Sequence, residues 1–363
     1  YAFCKSTRNN KLLKINEKKP FTSNWTNENL SIGCFFFKIG KEMIDSIHQM
    51  IKKKEMVSGE YYPSLSFNFL KKKKLNISIE QVNNFCHLGK PEYFEDFNKW
   101  LYFFQNNKKF ISKKRKSLSN VLILPCAGAG SRFKKEKIRT PKPFIKVEKK
   151  EMYRNAIDYL PNSDKKIIIF RSKDKKYIKS KKNNFSLLSK QTNGQAVTCF
   201  NITKNLNLNS SILIGACDTA ALWNINIYKK LIKTSDVIVW TCKNDFFFNK
   251  DVKAHTWIEA NNKKIKKIYV KRKPNIKKNL TIMIGIFFFT SIESYNKLHE
   301  IMIKKKNKTN GEFYIDNLIS ECISSNLNVK SFNVDCLVSW GTPLELNVYN
   351  FWSSFFRNIN NLK

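Results

Sequence analysis

The stretch VLILPCAGAGSRFKKEKIRTPKPF, residues 121–144, joins an apolar run to a glycine-rich turn and then to two cations. Its first four residues, 121–124, are apolar and mostly branched, which is typical of a fully buried strand of a parallel sheet. Gly128 and Gly130 have no side chain, so a phosphate can approach the main-chain N–H groups of the turn. The stretch therefore predicts a phosphate-binding turn at the carboxyl end of a buried strand.

The side chains after the turn suit the same anion. Ser131 favours the N-cap position of a following helix, whose positive end attracts negative charge. Arg132 can donate two hydrogen bonds to phosphate oxygens, and Lys142 carries a compact charge between two prolines that stiffen the backbone. The stretch lacks the G-K-[ST] ending of a P-loop, and Phe133 stands where a dinucleotide-binding turn needs its third glycine. It therefore belongs to neither of these phosphate-binding motifs.

The pattern G-x-G-x-R followed by P-K-P resembles the opening of the sugar-phosphate nucleotidyltransferases, the pyrophosphorylases that make nucleotide-activated sugars. The resemblance points to the branch found in capsule and surface-polysaccharide pathways. Further matching segments follow in the expected order from about residue 119 to 351: TNGQAVT (192–198), SILIGACDTA (211–220), VKRKPN (270–275), MIGIFFF (283–289), GEFYIDNLI (311–319) and SWGTPLEL (339–346). Their order is far harder to obtain by chance than any one segment.

The resemblance implies a role for each matching residue. Catalytic roles fall to Arg132, Lys142 and Asp218, and Asp218 is also the expected Mg²⁺ ligand. Asp218 follows the apolar run 212–214, and doubly wound sheets place ligand groups at such strand ends. The residues expected to bind the nucleotide are Ala127, Gly128, Ala129, Gly130, Ser131, Gly194 and Gln195. Those expected on the sugar-phosphate side are Lys273, Gly285 and Glu312.

The chain departs from the family pattern at two positions. Ser339 stands where many members carry a second metal-binding aspartate, and Asp335 is the nearest carboxylate in the sequence. A second protein carboxylate on the metal is thus left open, although Mg²⁺ commonly keeps waters and substrate phosphates as ligands. Arg272 stands where an acidic residue often precedes the sugar-phosphate lysine, so sugar recognition is expected to differ.

The implied fold is α/β, with a Rossmann-like (GT-A-like), mostly parallel sheet flanked by helices and a smaller antiparallel portion from about residue 241 to 289. The implied enzyme activity is Mg²⁺-dependent nucleotidyl transfer from a nucleoside triphosphate to a sugar-1-phosphate. Two alternatives stay open: a cytidylyltransferase acting on phosphocholine or a similar head group, and a catalytically silent nucleotide-binding or regulatory protein. A GT-A glycosyltransferase would need a D-x-D motif, and CDTA supplies one aspartate.

An internal repeat sets the expected domain organisation. Residues 1–104 resemble the C-terminal half of the same domain. Residues 105–119 are interpreted as a basic linker, and residues 120–363 are expected to form a complete copy. Residues 33, 59, 89 and 100 match residues 285, 311, 341 and 352 with a constant offset of 252. The first copy has no phosphate turn, base segment or metal aspartate, so we expect it to be inactive alone. Because the chain starts without methionine in mid-copy, we expect a fragment of a tandem protein.

The composition bears on two further classes of protein, those that bind nucleic acid and those that span a membrane. The net charge is +39, from 67 basic and 28 acidic residues, which would attract nucleic acid or anionic membranes. The lysines are spread along the whole chain and no nucleic-acid-binding module is visible, so nucleic-acid binding is not favoured. The sequence contains no apolar run of about 18 residues, so no membrane span is predicted.

The cysteines indicate the compartment. Nine cysteines occur singly without a CxxC pair, and only four histidines are present, which argues against zinc. They are best interpreted as small core residues of a reducing compartment, so a cytoplasmic location is expected. Cys126, beside the phosphate turn, is either a packing residue or a reactive thiol. The oligomeric state stays open.

Overall fold

The computed structural model describes residues 1–82, 84–112, 116–179, 184–243, 255–272, 274 and 280–360. The chain divides into two compact units, Tyr1–Leu88 and Gly89–Lys363. The helix Pro91–Ser112 runs across residue 104, the predicted end of the first copy, and covers the first half of the predicted linker.

In the first unit one helix packs against a small three-stranded antiparallel sheet, and a second helix packs against the first. Its elements are β1 (Ala2–Ser6), β2 (Leu12–Glu17), a 3-10 turn (Trp25–Asn27), β3 (Asn29–Leu30), α1 (Gly40–Lys52) and α2 (Pro63–Lys72). Phe67 and Leu70 of α2 pack with the apolar residues of β1 and β2. The Asn68 amide both donates to and accepts from the main chain of Ile15, at 2.9 and 3.0 Å. This two-way hydrogen bond fixes α2 against β2.

The second unit alternates strands and helices. Its elements are α3 (Pro91–Ser112), β4 (Ser119–Pro125), α4 (Ser131–Lys135), a 3-10 turn (Lys142–Phe144), β5 (Lys146–Val147), β6 (Lys150–Glu151), α5 (Met152–Asp158), β7 (Ser163–Arg171), a 3-10 turn (Ser172–Tyr177), β8 (Asn184–Leu188), α6 (Gln195–Thr203), β9 (Ile212–Ile214), β10 (Thr219–Leu222), α7 (Ile225–Ile232), β11 (Val237–Cys242), β12 (Trp257–Asn261), β13 (Lys264–Tyr269), β14 (Leu280–Phe289), α8 (Ile292–Lys304), α9 (Ile315–Ser324), β15 (Val329–Asn333), β16 (Cys336–Ser339) and α10 (Pro343–Asn360).

The main sheet is mixed, with strand order β11-β15-β13-β12-β14-β9-β4-β7-β8. The neighbours β9, β4, β7 and β8 are parallel, whereas β14 pairs antiparallel with β9. Because β11 also pairs with β14, the first five strands of this order close into a ring. The α/β class is confirmed, but the sheet is not mostly parallel.

The predicted antiparallel portion, from about residue 241 to 289, contains a hairpin, and antiparallel pairing extends beyond it to β9 and β15. Asn262 and Lys263 connect β12 to β13 with φ of 46° and 70°. Two consecutive residues with positive φ form the hairpin turn that matches the twist of antiparallel strands. The hairpin presents β12 to β14 and β13 to β15, both antiparallel.

Strand β4 is buried on both faces, as its apolar sequence predicts. Val121 and Ile123 belong to one hydrophobic cluster, while Leu122 and Leu124 belong to the cluster on the other face. Its neighbours β7 and β9 are both parallel to it. A residue that follows β4 or β9 therefore emerges at the same edge of the sheet.

Helix α3 packs against α10 through aromatic side chains. Trp100 and Phe103 are 2% and 0% exposed, and Trp100 stacks on Trp352 with ring centroids 6.3 Å apart. Phe97, Trp100 and Phe104 recur at helical spacing, which places them on one face. The described helices include none that is long and apolar enough to cross a bilayer.

His299 on α8 gives the fold a measurable pH dependence. The side chain is 4% exposed, its ring stacks on Phe200 at 4.1 Å, and neither ring nitrogen has a hydrogen-bond partner within the described residues. Burial lowers the pKa of His299 from 6.5 to about 4. The unfolded chain therefore binds a proton at this residue at a higher pH than the folded chain does.

Above about pH 6.5 we expect His299 to leave the free energy of unfolding of the wild type unchanged. As the pH drops toward 4, proton uptake by the unfolded chain should lower that free energy, by about 2 kcal/mol at pH 4.5. The variant His299→Phe should lose this pH dependence, whereas His48→Phe, at an exposed position of α1, should retain it. Denaturant unfolding at the two ends of this pH range measures the difference. An unchanged pH dependence in His299→Phe would contradict the assignment.

Candidate functional site

A cleft of about 560 Å³ opens where the chain leaves β4 and β9. Every predicted site residue that the structure describes lines it: Ala127, Gly128, Ala129, Gly130, Ser131, Arg132, Lys142, Gly194, Gln195, Asp218, Gly285 and Glu312. Lys273 lies outside the described residues. The parallel register of β4 and β9 brings the glycine-rich turn and Asp218 to the same edge of the sheet.

Gly130 shapes the glycine-rich turn. It is the N-cap residue of α4, with φ of 64°, and its carbonyl accepts hydrogen bonds from the N–H groups of Phe133 and Lys134 at 3.2 Å. Ser131, predicted as the cap, is instead the first helical residue, because the left-handed turn that begins the helix needs a glycine. A Cβ at Gly130 would lie 3.4 Å from the Lys142 Cβ. The turn and the TPKP segment are therefore in contact.

An ion pair joins Asp218 to Lys142 in the cleft. The two side chains are 23% and 20% exposed. Burial opposes both charges, but each charge favours the other, so the pKa of Asp218 is lowered and that of Lys142 is raised. The Thr219 hydroxyl also donates to Asp218 Oδ1 at 3.3 Å. Both groups thus stay charged at neutral pH.

Gly341 lies beside the same Asp218 oxygen, Oδ2, that Lys142 contacts. A Cβ at Gly341 would lie 3.2 Å from Asp218 Oδ2 and 3.3 Å from both Glu345 Oε2 and Ser339 Oγ. The glycine therefore leaves open a space bordered by two carboxylates and a hydroxyl. Within the described residues no group of three or more His, Cys, Asp and Glu side chains could hold a metal ion, so a cation here would need oxygen ligands from elsewhere.

Asp335 does not border this space. Strands β10 and β16 pair antiparallel, with Thr219 opposite Ser339 at one end and Leu222 opposite Cys336 at the other. The Asp335 N–H donates to the Leu222 carbonyl at 2.8 Å. Asp335 therefore lies at the end of the strand pair that is remote from Asp218.

Gly194 allows two main-chain segments to approach closely. A Cβ there would lie 2.4 Å from the carbonyl oxygen of Phe313, and the φ of Gly194 is 120°. The Phe313 N–H donates to Asn193 at 2.8 Å, and the Ala196 N–H donates to Phe313 at 3.1 Å. The space beside Gly194 is thus filled by protein backbone, while Gln195 and Thr192 also line the cleft.

The predicted sugar-phosphate side lies on β14 and the segment before α9. Gly285, with φ of 76°, lies where the register of β14 against β11 shifts, which is the pattern of a β-bulge. Glu312 is exposed and accepts a hydrogen bond from the Tyr314 hydroxyl. Burial and this hydrogen bond raise the pKa of Tyr314 to about 12. Tyr314 therefore presents a neutral hydroxyl beside a carboxylate.

Three residues near the cleft are absent from the predicted set: Tyr314, Gly341 and Glu345. Tyr314 has a sequence signal, because GEFY recurs as GEYY in the first unit. Gly341 and Glu345 lie in the matching segment SWGTPLEL (339–346), but their relation to Asp218 depends on the antiparallel pairing of β10 and β16 and on the turn into α10. Non-local pairing of this kind is not visible in a local motif.

Cys126 and Cys217 also line the cleft. Cys126 is 1% exposed, and burial raises the pKa of its thiol well above its usual value. A reactive cysteine needs an accessible thiolate. The packing interpretation of Cys126 is thus the better supported of the two.

A scan of protein-family models and a search of curated proteins found no match. Solved structures do match. The nucleoside-diphosphate-sugar pyrophosphorylase from Vibrio cholerae RC9 superposes with a TM-score of 0.51 at 18% identity, covering 63% of this chain and 98% of that chain. The inositol-1-phosphate CTP transferase from T. maritima gives a TM-score of 0.49 at 14% identity, covering 66% of this chain and 97% of that chain.

The chain thus has a fold similar to that of the V. cholerae pyrophosphorylase. The match covers 98% of the V. cholerae pyrophosphorylase, so almost all of that protein's fold is present in about two thirds of this chain. At 18% identity this similarity assigns the fold and leaves the reaction to be argued from the cleft.

Gly194 provides a test of the local architecture. Gly194→Ala should destabilise the protein by about 3 kcal/mol, because its Cβ would collide with the Phe313 main chain. Gly128→Ala is the matched control, since a Cβ there meets nothing within 4 Å, and it should change stability by less than about 1 kcal/mol. Urea unfolding of both variants measures the difference. Equal stabilities would contradict the close approach.

Proposed function

We propose that the protein transfers a nucleotidyl group from a nucleoside triphosphate to a sugar-1-phosphate, giving a nucleotide sugar and pyrophosphate. The observation that carries the proposal is the convergence on one cleft of the glycine-rich turn, the cations Arg132 and Lys142, and the Asp218 carboxylate. The sequence resemblance supports a role in surface-polysaccharide synthesis in the cytoplasm.

The reaction is an in-line displacement at phosphorus. An oxygen of the sugar-1-phosphate forms a bond to the α-phosphorus, the bond to the bridging oxygen breaks, and pyrophosphate leaves with that electron pair. The attacking oxygen is already anionic, so no protein nucleophile or base is needed. The enzyme must align two anions and offset their repulsion.

The residues of the cleft divide this work. The N–H groups of the 128–131 turn and the Arg132 side chain would hold the β- and γ-phosphates, so that Arg132 stabilises the departing pyrophosphate. Lys142, held at the turn by its contact with Gly130, would contact the reacting phosphates. Gln195 would hydrogen-bond the edge of the base, and Gly285, Glu312 and Lys273 would bind the sugar phosphate.

The oxygen atoms around Gly341 fit Mg²⁺. Hard cations prefer carboxylate, hydroxyl and phosphate oxygens, and Asp218, Glu345 and Ser339 supply the first two kinds around a space that a Cβ would fill. Asp218 and Glu345 would hold the ion together with substrate phosphates. When bound, Mg²⁺ would neutralise phosphate charge. Glu345 would then supply the second carboxylate ligand, which Ser339 cannot supply.

Pyrophosphate release tests the proposal. We expect release with one nucleoside triphosphate and a member of a sugar-1-phosphate panel, and Asp218→Asn should lower the rate by about 10² to 10³ because a charge acting on the reacting phosphates is lost. Asp335→Asn is the matched control and should keep the rate. Turnover with phosphocholine alone would favour the cytidylyltransferase alternative, and nucleotide binding without any turnover would favour a silent binding protein.

Glu345 can be tested by metal binding apart from activity. Glu345→Gln should weaken Mn²⁺ binding by about tenfold in the presence of a nucleoside triphosphate, because one anionic ligand is removed. Electron paramagnetic resonance of free Mn²⁺ measures this directly. Glu300→Gln, at an exposed position on α8, should leave the affinity unchanged. Equal Mn²⁺ affinity in Glu345→Gln and the wild type would remove Glu345 from the metal site.

A further inference from the structure

Helices α3 and α10 hold equivalent places in the sequence repeat. Both begin at a proline, Pro91 and Pro343, which are separated by the repeat offset of 252 residues. The same offset relates the bounds of α1 to those of α8 and the bounds of α2 to those of α9. It also relates the bridge between Val57 and Glu60 to the bridge between Thr309 and Glu312.

The sheets of the two units repeat the same pairing. In the first unit β1 pairs antiparallel with β2 and β3, and in the second unit β12 pairs antiparallel with β13 and β14. The left-handed glycines also correspond, since Gly33 and Gly285 have φ of 82° and 76°. These correspondences support the view that residues 1–112 are equivalent to the C-terminal part of a complete copy.

The aromatic contacts between α3 and α10 are symmetric under the repeat offset. If each residue is replaced by the residue 252 positions away in the other helix, each of the ring contacts below between the two helices becomes itself or another contact that is also present. The ring pairs, with centroid distances, are Trp100–Trp352 (6.3 Å), Phe104–Phe356 (5.3 Å), Phe97–Trp352 (5.8 Å) with Trp100–Tyr349 (6.2 Å), Phe97–Phe356 (5.8 Å) with Phe104–Tyr349 (5.8 Å), and Phe97–Phe355 (6.4 Å) with Phe103–Tyr349 (6.4 Å).

Such reciprocity defines an isologous interface, in which the same surface patch contacts its own equivalent around a twofold axis. Two equivalent residues, Trp100 and Trp352, stack on each other, which occurs only close to such an axis. A helix that only covered an apolar surface would not be expected to show each contact together with its counterpart under the repeat offset.

We propose that α10 carries a self-complementary aromatic surface whose partner is a second copy of the same helix, and that α3 fills that position within this chain. The surface comprises Tyr349, Trp352, Phe355 and Phe356, each less than 9% exposed with α3 in place. Because the surface fits its own equivalent, displacing α3 exposes a patch that pairs with α10 of another chain. α3 therefore acts as an internal partner that blocks dimerisation through α10.

Charge on the contact face of α3 tests the proposal in the 363-residue chain. The triple variant Phe97→Glu, Trp100→Glu and Phe104→Glu should displace α3, because three carboxylates cannot be buried among aromatic rings. We expect amide exchange of residues 91–112 to lose protection and the mass in sedimentation to double relative to the wild-type chain. Adding Trp352→Glu to the triple variant should restore the wild-type mass.

A control variant carries the same charges on the outer face of α3. Phe94→Glu, Asn98→Glu and Gln105→Glu lie at exposed positions and should leave both the mass and the protection of residues 91–112 unchanged. A displaced α3 without doubling of the mass would overturn the proposal, as would a doubling that Trp352→Glu does not reverse. Continued protection of α3 in the triple variant would show that these rings do not hold the helix, which would also overturn it.

Engineered cysteines test the symmetry without disturbing the fold by charge. Phe97→Cys with Phe356→Cys, and separately Phe104→Cys with Tyr349→Cys, should form crosslinks within one chain at similar rates, because the repeat offset exchanges one pair for the other. Peptide mapping of the oxidised protein identifies each crosslink. A crosslink in one pair and not in its mate would refute the twofold arrangement.

Discussion

The ion pair between Asp218 and Lys142 holds together the two halves of the cleft. One charge follows β9 and the other follows the glycine-rich turn, so the pair bridges segments that are remote in sequence. Removing one partner of a largely buried pair leaves an uncompensated charge, which is costly. In the proposed reaction an anionic substrate would change this balance, because phosphate oxygens would compete for the Lys142 ammonium. The same interaction would therefore stabilise the empty cleft and present both charges to the reactants.

Main-chain proximity is the second constraint on the cleft. At Gly194 the Phe313 backbone occupies the volume that a side chain would need, and at Gly130 the Lys142 side chain lies in contact. At Gly341 the neighbouring volume is bordered by oxygen atoms instead. The three glycines thus have different roles: Gly194 allows two main-chain segments to pack closely, Gly130 provides a left-handed turn, and Gly341 leaves a space bordered by oxygen atoms.

The sequence predicts much of the cleft because its motifs are local. The apolar run before Gly128 and the run 212–214 are buried on the sheet, and parallel neighbours bring the residues after them together, so Asp218 and the glycine-rich turn could be predicted as a pair. Glu345 could not, because its position depends on how β16 pairs with β10. The helical course of residues 105–112 was missed for another reason: polar and basic residues obscure the aromatic spacing that continues from Trp100. The sheet is mixed because β14 pairs antiparallel with β9 and β11 and the Asn262–Lys263 hairpin adds β12 and β13, and such long-range pairing is conveyed only weakly by the side-chain pattern.

The closed ring of β11, β15, β13, β12 and β14 has a consequence for association. β11 lies between β14 and β15 over almost its whole length, so it offers no free edge to a foreign strand, whereas β13 and β15 meet only at the pair Lys264–Lys330. In the nine-stranded sheet of the described residues, the terminal strand without a second neighbour is β8, five residues long. A further strand from another polypeptide would therefore find unpaired edge at β8 and along β13 beyond Lys264.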